Sequence, residues 1–213
     1  MPVANPRHPR EDDPRFQRSL KALHVALLEL VDAQPVEEIS ITALVQAAGV
    51  TRPTFYQHFA DIPDAARRVA LARLDEAFPI PEPFPEQLEI TAPTIVGHVA
   101  EVALPVIEHL HGHRSFYLRV LDGAGNAAFF EEIVSFLSGR FLPDAFELAA
   151  RRQAARKSDL MAVMAGGAMW LMVRWLRHDR PTETAGEMAQ RIAAVAATMV
   201  AAPERETPDE TRS

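Results

Sequence analysis

The chain has 213 residues, 48% of them hydrophobic, no cysteine, and 22 Lys and Arg against 29 Asp and Glu, a formal net charge of −7. This length suits one or two domains, and the missing cysteine removes disulfides, thiolate chemistry and thiolate metal sites. No run of 18 apolar residues occurs and the N-terminus has no apolar signal-peptide stretch, so the expectation is a cytoplasmic protein without a membrane span.

In chain order, residues 1–14 carry four prolines and both charge signs and read as a disordered tail. Arg15 to Ala33 reads as a helix, with Leu20, Leu23, Leu27 and Leu30 at helical spacing, and Gln34-Pro35 ends it. Val36 to Ile39 is a connector, with Ile39 anchoring it in the core. Ser40 then caps a short helix whose Ile41, Leu44, Val45 and Ala48 share one face. Gly49 ends this helix where a positive φ is usual. Thr51 caps the next short helix, and Pro53 sits in its first turn, where a missing N–H costs nothing. Phe55 and Phe59 face inward together, leaving Arg52, Thr54, Tyr56, Gln57 and His58 wholly or partly outward. Helix, tight turn, helix is the outline of a helix-turn-helix, whose second helix enters the major groove of DNA. Asp61 to Asp64 is a second cap and turn, and Ala65 to Phe78 a further helix.

Residues 79–93 hold five prolines and read as an extended linker and domain boundary. Helices are expected at Thr94–Leu110 despite Pro105, at Phe116–Leu121, Ala127–Phe141, Asp144–Arg156, Ser158–Arg177 and Thr184–Ala202, with turns at His111–Arg114 and Asp122–Asn126 and a frayed polar tail at 203–213. No alternation of β-branched residues competes with the helical period, so the fold class is all-α: an N-terminal three-helix head over 15–78 and a helical domain over 94–202.

The string Ala48-Gly49-Val50-Thr51-Arg52-Pro53-Thr54-Phe55-Tyr56-Gln57-His58-Phe59 resembles the core motif of the TetR family of bacterial transcriptional repressors, and the resemblance extends over residues 16 to 76. It implies a homodimeric DNA-binding repressor, without a cofactor and not an enzyme, released from a palindromic operator by a small-molecule effector. The motif positions Thr42, Thr51, Arg52, Pro53, Thr54, Tyr56, Gln57 and His58 are the DNA-contact candidates. Arg52 suits bidentate bonds to guanine or a phosphate, Pro53 and the Thr54 methyl suit thymine methyls, and Tyr56 and His58 suit phosphate oxygens. On an isolated helix the same residues would be a solvated face. One departure stands out: family members usually carry a Lys four residues after the motif histidine, and this chain has Ile62, leaving Arg67 or Arg68 as substitutes.

Charge gives the DNA reading little help. The first 70 residues hold eight Lys and Arg against nine Asp and Glu, although no carboxylate falls between Ser40 and Ala60 and Arg15, Arg18 and Lys21 cluster just upstream. Few phosphate neutralisations imply a moderate salt dependence. Beyond the head, Phe116, Tyr117, Phe130, Met161, Met164 and Trp170 are effector-pocket candidates, each equally at home in a plain core. Gly166-Gly167 within the most apolar helix costs about 1 kcal/mol each relative to Ala unless another backbone approaches closely. With Met188, Ile192, Val195 and Met199 of the last helix, they are expected in a four-helix dimer interface. His109, His111 and His113 resemble a metal cluster, but histidines near a helix C-terminus also complement its dipole, and no metal is assigned. No phosphate loop, nucleophile elbow or metalloprotease motif is present.

Overall fold

A computed structural model of the chain describes residues 13–80, 82, 91–123, 126–140, 146–147, 150, 156–178 and 182–200. Among these residues the structure is all-α: nine helices, one 3-10 turn and no strand. The helices are α1 (Pro14–Ala33), α2 (Ile41–Ala47), α3 (Arg52–His58), α4 (Ile62–Ala77), α5 (Ala92–Gly112), α6 (Arg114–Gly123), α7 (Asn126–Ser138), α8 (Lys157–Arg177) and α9 (Ala185–Val200), with the 3-10 turn at Val36–Glu38. Residues 1–12 of the tail expected over 1–14, the tail at 203–213, most of the linker, and most of the helix expected over 144–156 lie outside the described residues, while Asp13 and Pro14 belong to the start of α1 rather than to a tail.

Several helices begin earlier than their apolar periodicity suggests, because side chains cap them. Asp13 Oδ1 accepts the Arg15 amide at 2.8 Å, so α1 starts at Pro14, its proline in the first turn. Asp61 Oδ1 accepts the Asp64 amide at 2.7 Å while Asp64 Oδ2 accepts the Ala60 amide at 3.0 Å, which moves the start of α4 back to Ile62. Pro93, expected in the linker, lies instead in the first turn of α5 behind Thr91, whose Oγ1 accepts the Thr94 amide. At the other end α5 runs through His111 to Gly112, where the sequence suggests a turn.

The chain divides into two compact units, Met1–Glu76 with Gly112–Glu132, and Ala77–His111 with Ile133–Ser213. In the first, α1 packs on α2, α3 and α6, and α6 also meets the 3-10 turn. Leu23, Leu27, Val31, Leu44, Phe55, Phe116 and Val120 form its fully buried centre. Burying side chains of this size is worth roughly 1.5–3 kcal/mol each. Position along the chain groups α6 with the later helices; two features attach it here. Arg119 Nη1 donates to the Val31 carbonyl at 2.7 Å and also to that of Asp32, satisfying orphan carbonyls at the end of α1, which has no basic residue in its last turn. At Gly123, an added Cβ would lie 2.5 Å from Glu37 Oε2 and 3.0 Å from Val36 Cβ, so this close approach requires glycine.

In the second unit α8 packs on α9. Met164, Ala168, Met172 and Leu176 of α8, and Met188, Ile192, Ala193 and Ala196 of α9, are buried. Trp175 Nε1 donates to the Glu183 carbonyl at 3.1 Å, and Thr184 and Glu187 form a reciprocal capping box at the start of α9. Among the described residues α8 alone is long and apolar enough to cross a membrane, and 44% of its apolar window is buried inside the chain. Phe78 completes this unit: Arg140 Nε donates to its carbonyl at 2.8 Å and the Arg140 guanidinium lies 3.6 Å from the Phe136 ring centroid.

Candidate nucleic-acid interface

The segment from α2 to α3 is built almost wholly from local bonds. Ser40 Oγ accepts the Ala43 amide at 3.1 Å and opens α2. At its end Gly49 adopts φ 64, the Gly49 amide donates to the Gln46 carbonyl at 3.2 Å, and the Val50 amide donates to that of Val45 at 3.0 Å. This pair of bonds is a Schellman motif, which reverses the chain within two residues. Thr51 Oγ1 then accepts the Thr54 amide at 3.3 Å and lies 2.9 Å from the Thr54 hydroxyl, opening α3. Phe55 is fully buried and Phe59 nearly so, their centroids 5.7 Å apart, which fixes the roll of α3 about its axis.

That roll decides what faces out. Arg52, Pro53 and Gln57 are exposed, Tyr56 is 55% exposed with its ring edge-on to Phe55, and Thr54 is half-buried. Thr42 and Thr51 are exposed beside them. Seven of the eight DNA-contact candidates therefore retain solvent access in one short stretch.

His58 does not join them. It is only 8% exposed, its ring centroid lies 4.0 Å from that of Phe16, and its Nε2 is 2.8 Å from Ser19 Oγ. Its Nδ1 is buried without a hydrogen-bond partner. The expectation of an outward phosphate ligand is corrected on this point, because α1 offers the ring both an aromatic surface and a hydroxyl. Burial, reinforced by the like charge of His24, holds the His58 imidazole below its ordinary pKa.

The departure at Ile62 is a core substitution: Ile62 is buried in the first turn of α4. Of the substitute cations, Arg67 lies 3.6 Å from both Asp64 and Glu132, whereas Arg68, bonded to Asp64 at 3.0 Å, keeps a side chain 60% exposed. Arg68 is thus the more accessible cation after the motif.

The remaining candidates fall into two sets. Phe116 and Tyr117 are buried and Phe130 half-buried in the first unit; Met164 is buried, Met161 half-buried and Trp170 58% exposed in the second. Arg73 lies 4.9 Å from the Phe116 centroid, and burial pushes the Tyr117 phenol well above its ordinary pKa. Of the interface candidates, Met188 and Ile192 are buried within the chain and supply no outer surface, while Val195 is exposed, Met199 half-buried, and Gly166 and Gly167 lie along the outer side of α8 with Val163 and Trp170. Among the described residues, apart from the helix's own backbone and each glycine's chain neighbours, nothing comes within 4 Å of a Cβ built at either glycine.

The three histidines do not converge. His113 Nδ1 accepts from Arg73 Nη2 at 2.7 Å within the first unit, and the His111 ring lies 5.0 Å from that of Trp175 within the second. Among the described residues no three His, Cys, Asp or Glu side chains are placed to hold a metal. Sequence reading missed Phe16 and Ser19 as partners of His58, and Arg73 as partner of His113. Separations of 39 and 40 residues leave no local pattern that would pair Ser19 with His58 or Arg73 with His113. No protein-family model matches the sequence, and no curated protein matches it.

Proposed function

We propose that this chain is a sequence-specific DNA-binding transcriptional regulator of the TetR type, acting in the cytoplasm as a homodimeric repressor that a small-molecule effector releases from a palindromic operator. The observation that carries the reading is α3: a short helix set by a Schellman turn and a threonine cap, rolled by Phe55 and Phe59 so that Arg52, Pro53, Tyr56 and Gln57 face solvent together. No carboxylate lies between Ser40 and Ala60 to repel phosphate. Arg15, Arg18 and Lys21, all exposed on α1, would add backbone contacts.

The dimer reading is supported by the outer side of α8. Two glycines inside an exposed helix are each destabilising by about 1 kcal/mol relative to Ala. No close approach by the described residues explains them, and Val163 and Trp170 flank them at 65% and 58% exposure. A second copy seated on α8 and on Val195 and Met199 of α9 would supply the close contact. A dimer that reads a palindrome has its two α3 helices about one DNA turn apart, roughly 34–36 Å. The effector would act by binding preferentially to a conformation with another spacing. Its candidate contacts are Phe116, Tyr117 and Phe130 in the first unit and, as a separate set, Met161, Met164 and Trp170 in the second.

The test is Arg52→Ala with Tyr56→Ala, measured for DNA binding and for oligomeric state together. Loss of DNA binding with an intact dimer is the expected result. A protein with a purely structural helix-turn-helix, one that binds only small molecules or metals, would bind no DNA before or after the change.

A further inference from the structure

The Ser19 hydroxyl lies 2.9 Å from the Phe16 carbonyl and 2.8 Å from His58 Nε2, and its single hydrogen can serve only one of them. The other ring nitrogen decides the direction. His58 Nδ1 is buried without a hydrogen-bond partner, so an Nδ1–H tautomer would bury a donor with no acceptor. The proton is therefore favoured on Nε2, which donates to Ser19 Oγ while the hydroxyl donates to the Phe16 carbonyl, and Nδ1 keeps a bare lone pair. Phe16 closes the arrangement by placing its ring 4.0 Å from the imidazole.

We infer that Ser19 and His58 form a positioning latch, in which the neutral Nε2–H imidazole fixes the C-terminal end of α3 to the first turns of α1 and so sets the presentation of Arg52 and Tyr56 to DNA. The latch rests on the DNA-binding reading above and deepens it: Ser19 touches no DNA and acts through His58. A second proton on His58 would have to go on Nδ1, creating a buried N–H with no acceptor. The surroundings do nothing to offset that. The packed helix α2 carries no ionisable residue, α3 itself adds Arg52 and Tyr56, and the ionisable groups of α1 are Arg15, Arg18, Lys21, His24, Glu29 and Asp32. Of these His24 acts on the ring, as a like charge when protonated. Acid therefore opens the latch, and DNA affinity falls as His58 takes up its proton.

The test uses the full chain and a DNA duplex recovered by selection from a random pool at pH 7.5. Dissociation constants are measured at pH 7.5 and 5.5 for wild type, Ser19→Ala, Ser19→Thr and His58→Gln, the last keeping an N–H donor near the Nε2 position without a titrating ring. The expected result is a wild-type affinity at least tenfold weaker at pH 5.5, a pH ratio below twofold for His58→Gln whatever its absolute affinity, weakened binding by Ser19→Ala at pH 7.5, and recovery by Ser19→Thr, which restores the hydroxyl. Equal pH ratios for wild type and His58→Gln, or unchanged affinity in Ser19→Ala, overturn the latch. If no duplex is enriched, the DNA-binding reading fails by itself. The latch is then decided by 15N NMR of the histidine rings: an Nε2–H tautomer for His58 whose titration moves in Ser19→Ala supports it, and an Nδ1–H tautomer or a titration indifferent to Ser19 overturns it.

Discussion

The α2–α3 segment and the α8–α9 pair are both helix-turn-helix units in the loose sense, but they are held by different physics. In α2–α3 each helix has seven residues, too few to be stable alone, and two side-chain caps and one left-handed glycine define the geometry. In α8–α9 the helices have 21 and 16 residues and are joined by apolar packing, with alanine and methionine filling the seam. A capped motif is tied to particular atoms and tolerates little change. An apolar seam tolerates volume-conserving exchange, and leaves its outer side free to serve another purpose.

The comparison can be broken most strongly at Phe55. Phe55→Ala removes a fully buried ring from the centre of the capped motif and is expected to destabilise the chain by about 3–5 kcal/mol in denaturant unfolding. Trp170→Ala, on the outer side of α8, is expected to change the stability of the isolated chain by less than about 0.5 kcal/mol and to act on self-association instead. Comparable losses in the two variants would mean that the outer side of α8 belongs to the chain's interior as fully as the inner side of α3 does.

Next in size is Gly49→Ala. Its φ of 64 makes the change unfavourable by about 1–2 kcal/mol even though an added Cβ meets nothing within 4 Å. Gly166→Ala and Gly167→Ala sharpen the contrast because they carry the opposite sign. In a helix with open space around both positions, each is expected to raise the thermal stability of the monomer by up to about 1 kcal/mol while sedimentation shows a weaker dimer. Stabilisation with unchanged association would remove the proposed interface from α8.

The smallest expected effect is on pH. Burial lowers the pKa of His24, His58 and His113, with Glu76 opposing the shift at His24, Arg73 adding to it at His113 and Asp32 opposing it there. Above pH 6.5 these rings are neutral whether the chain is folded or not, and their contribution is fully present. Below it the unfolded chain takes up protons that the folded chain resists, so stability falls as the pH drops from 6.5 through the lowered folded values. Because Arg73 can only donate, His113 Nδ1 must be unprotonated. His113→Asn, whose side-chain carbonyl can accept in that place, is expected to flatten part of the acid loss in melts run from pH 8 to pH 5.

The capped motif is legible in the sequence down to single residues, since Ser40, Gly49, Thr51 and Pro53 act on backbone groups two to four positions away. Periodicity places the helix starts too late at α1, α4 and α5, where capping by Asp13, Asp61 and Thr91 lets Pro14, Pro63 and Pro93 enter the first turn rather than end the preceding loop. The same periodicity identifies α9 as apolar, but not that Met188 and Ile192 are buried within the chain rather than outward, because a pattern of apolar residues does not say which neighbour covers it. His58 shows the same limit at the site itself. Its place in the motif suggests DNA, and its partners Phe16 and Ser19 lie about forty residues earlier in the chain.

The central claim is that α3 reads DNA sequence, and the most direct measurement is selection of bound duplexes from a random pool by the purified chain at two salt concentrations, in parallel with Arg52→Ala/Tyr56→Ala. The account predicts a palindrome with half-sites about one DNA turn apart, enriched at both salt concentrations by the wild type and lost in the double variant. A dimer that enriches no sequence at either salt, or a double variant that enriches the same palindrome as the wild type, would contradict it.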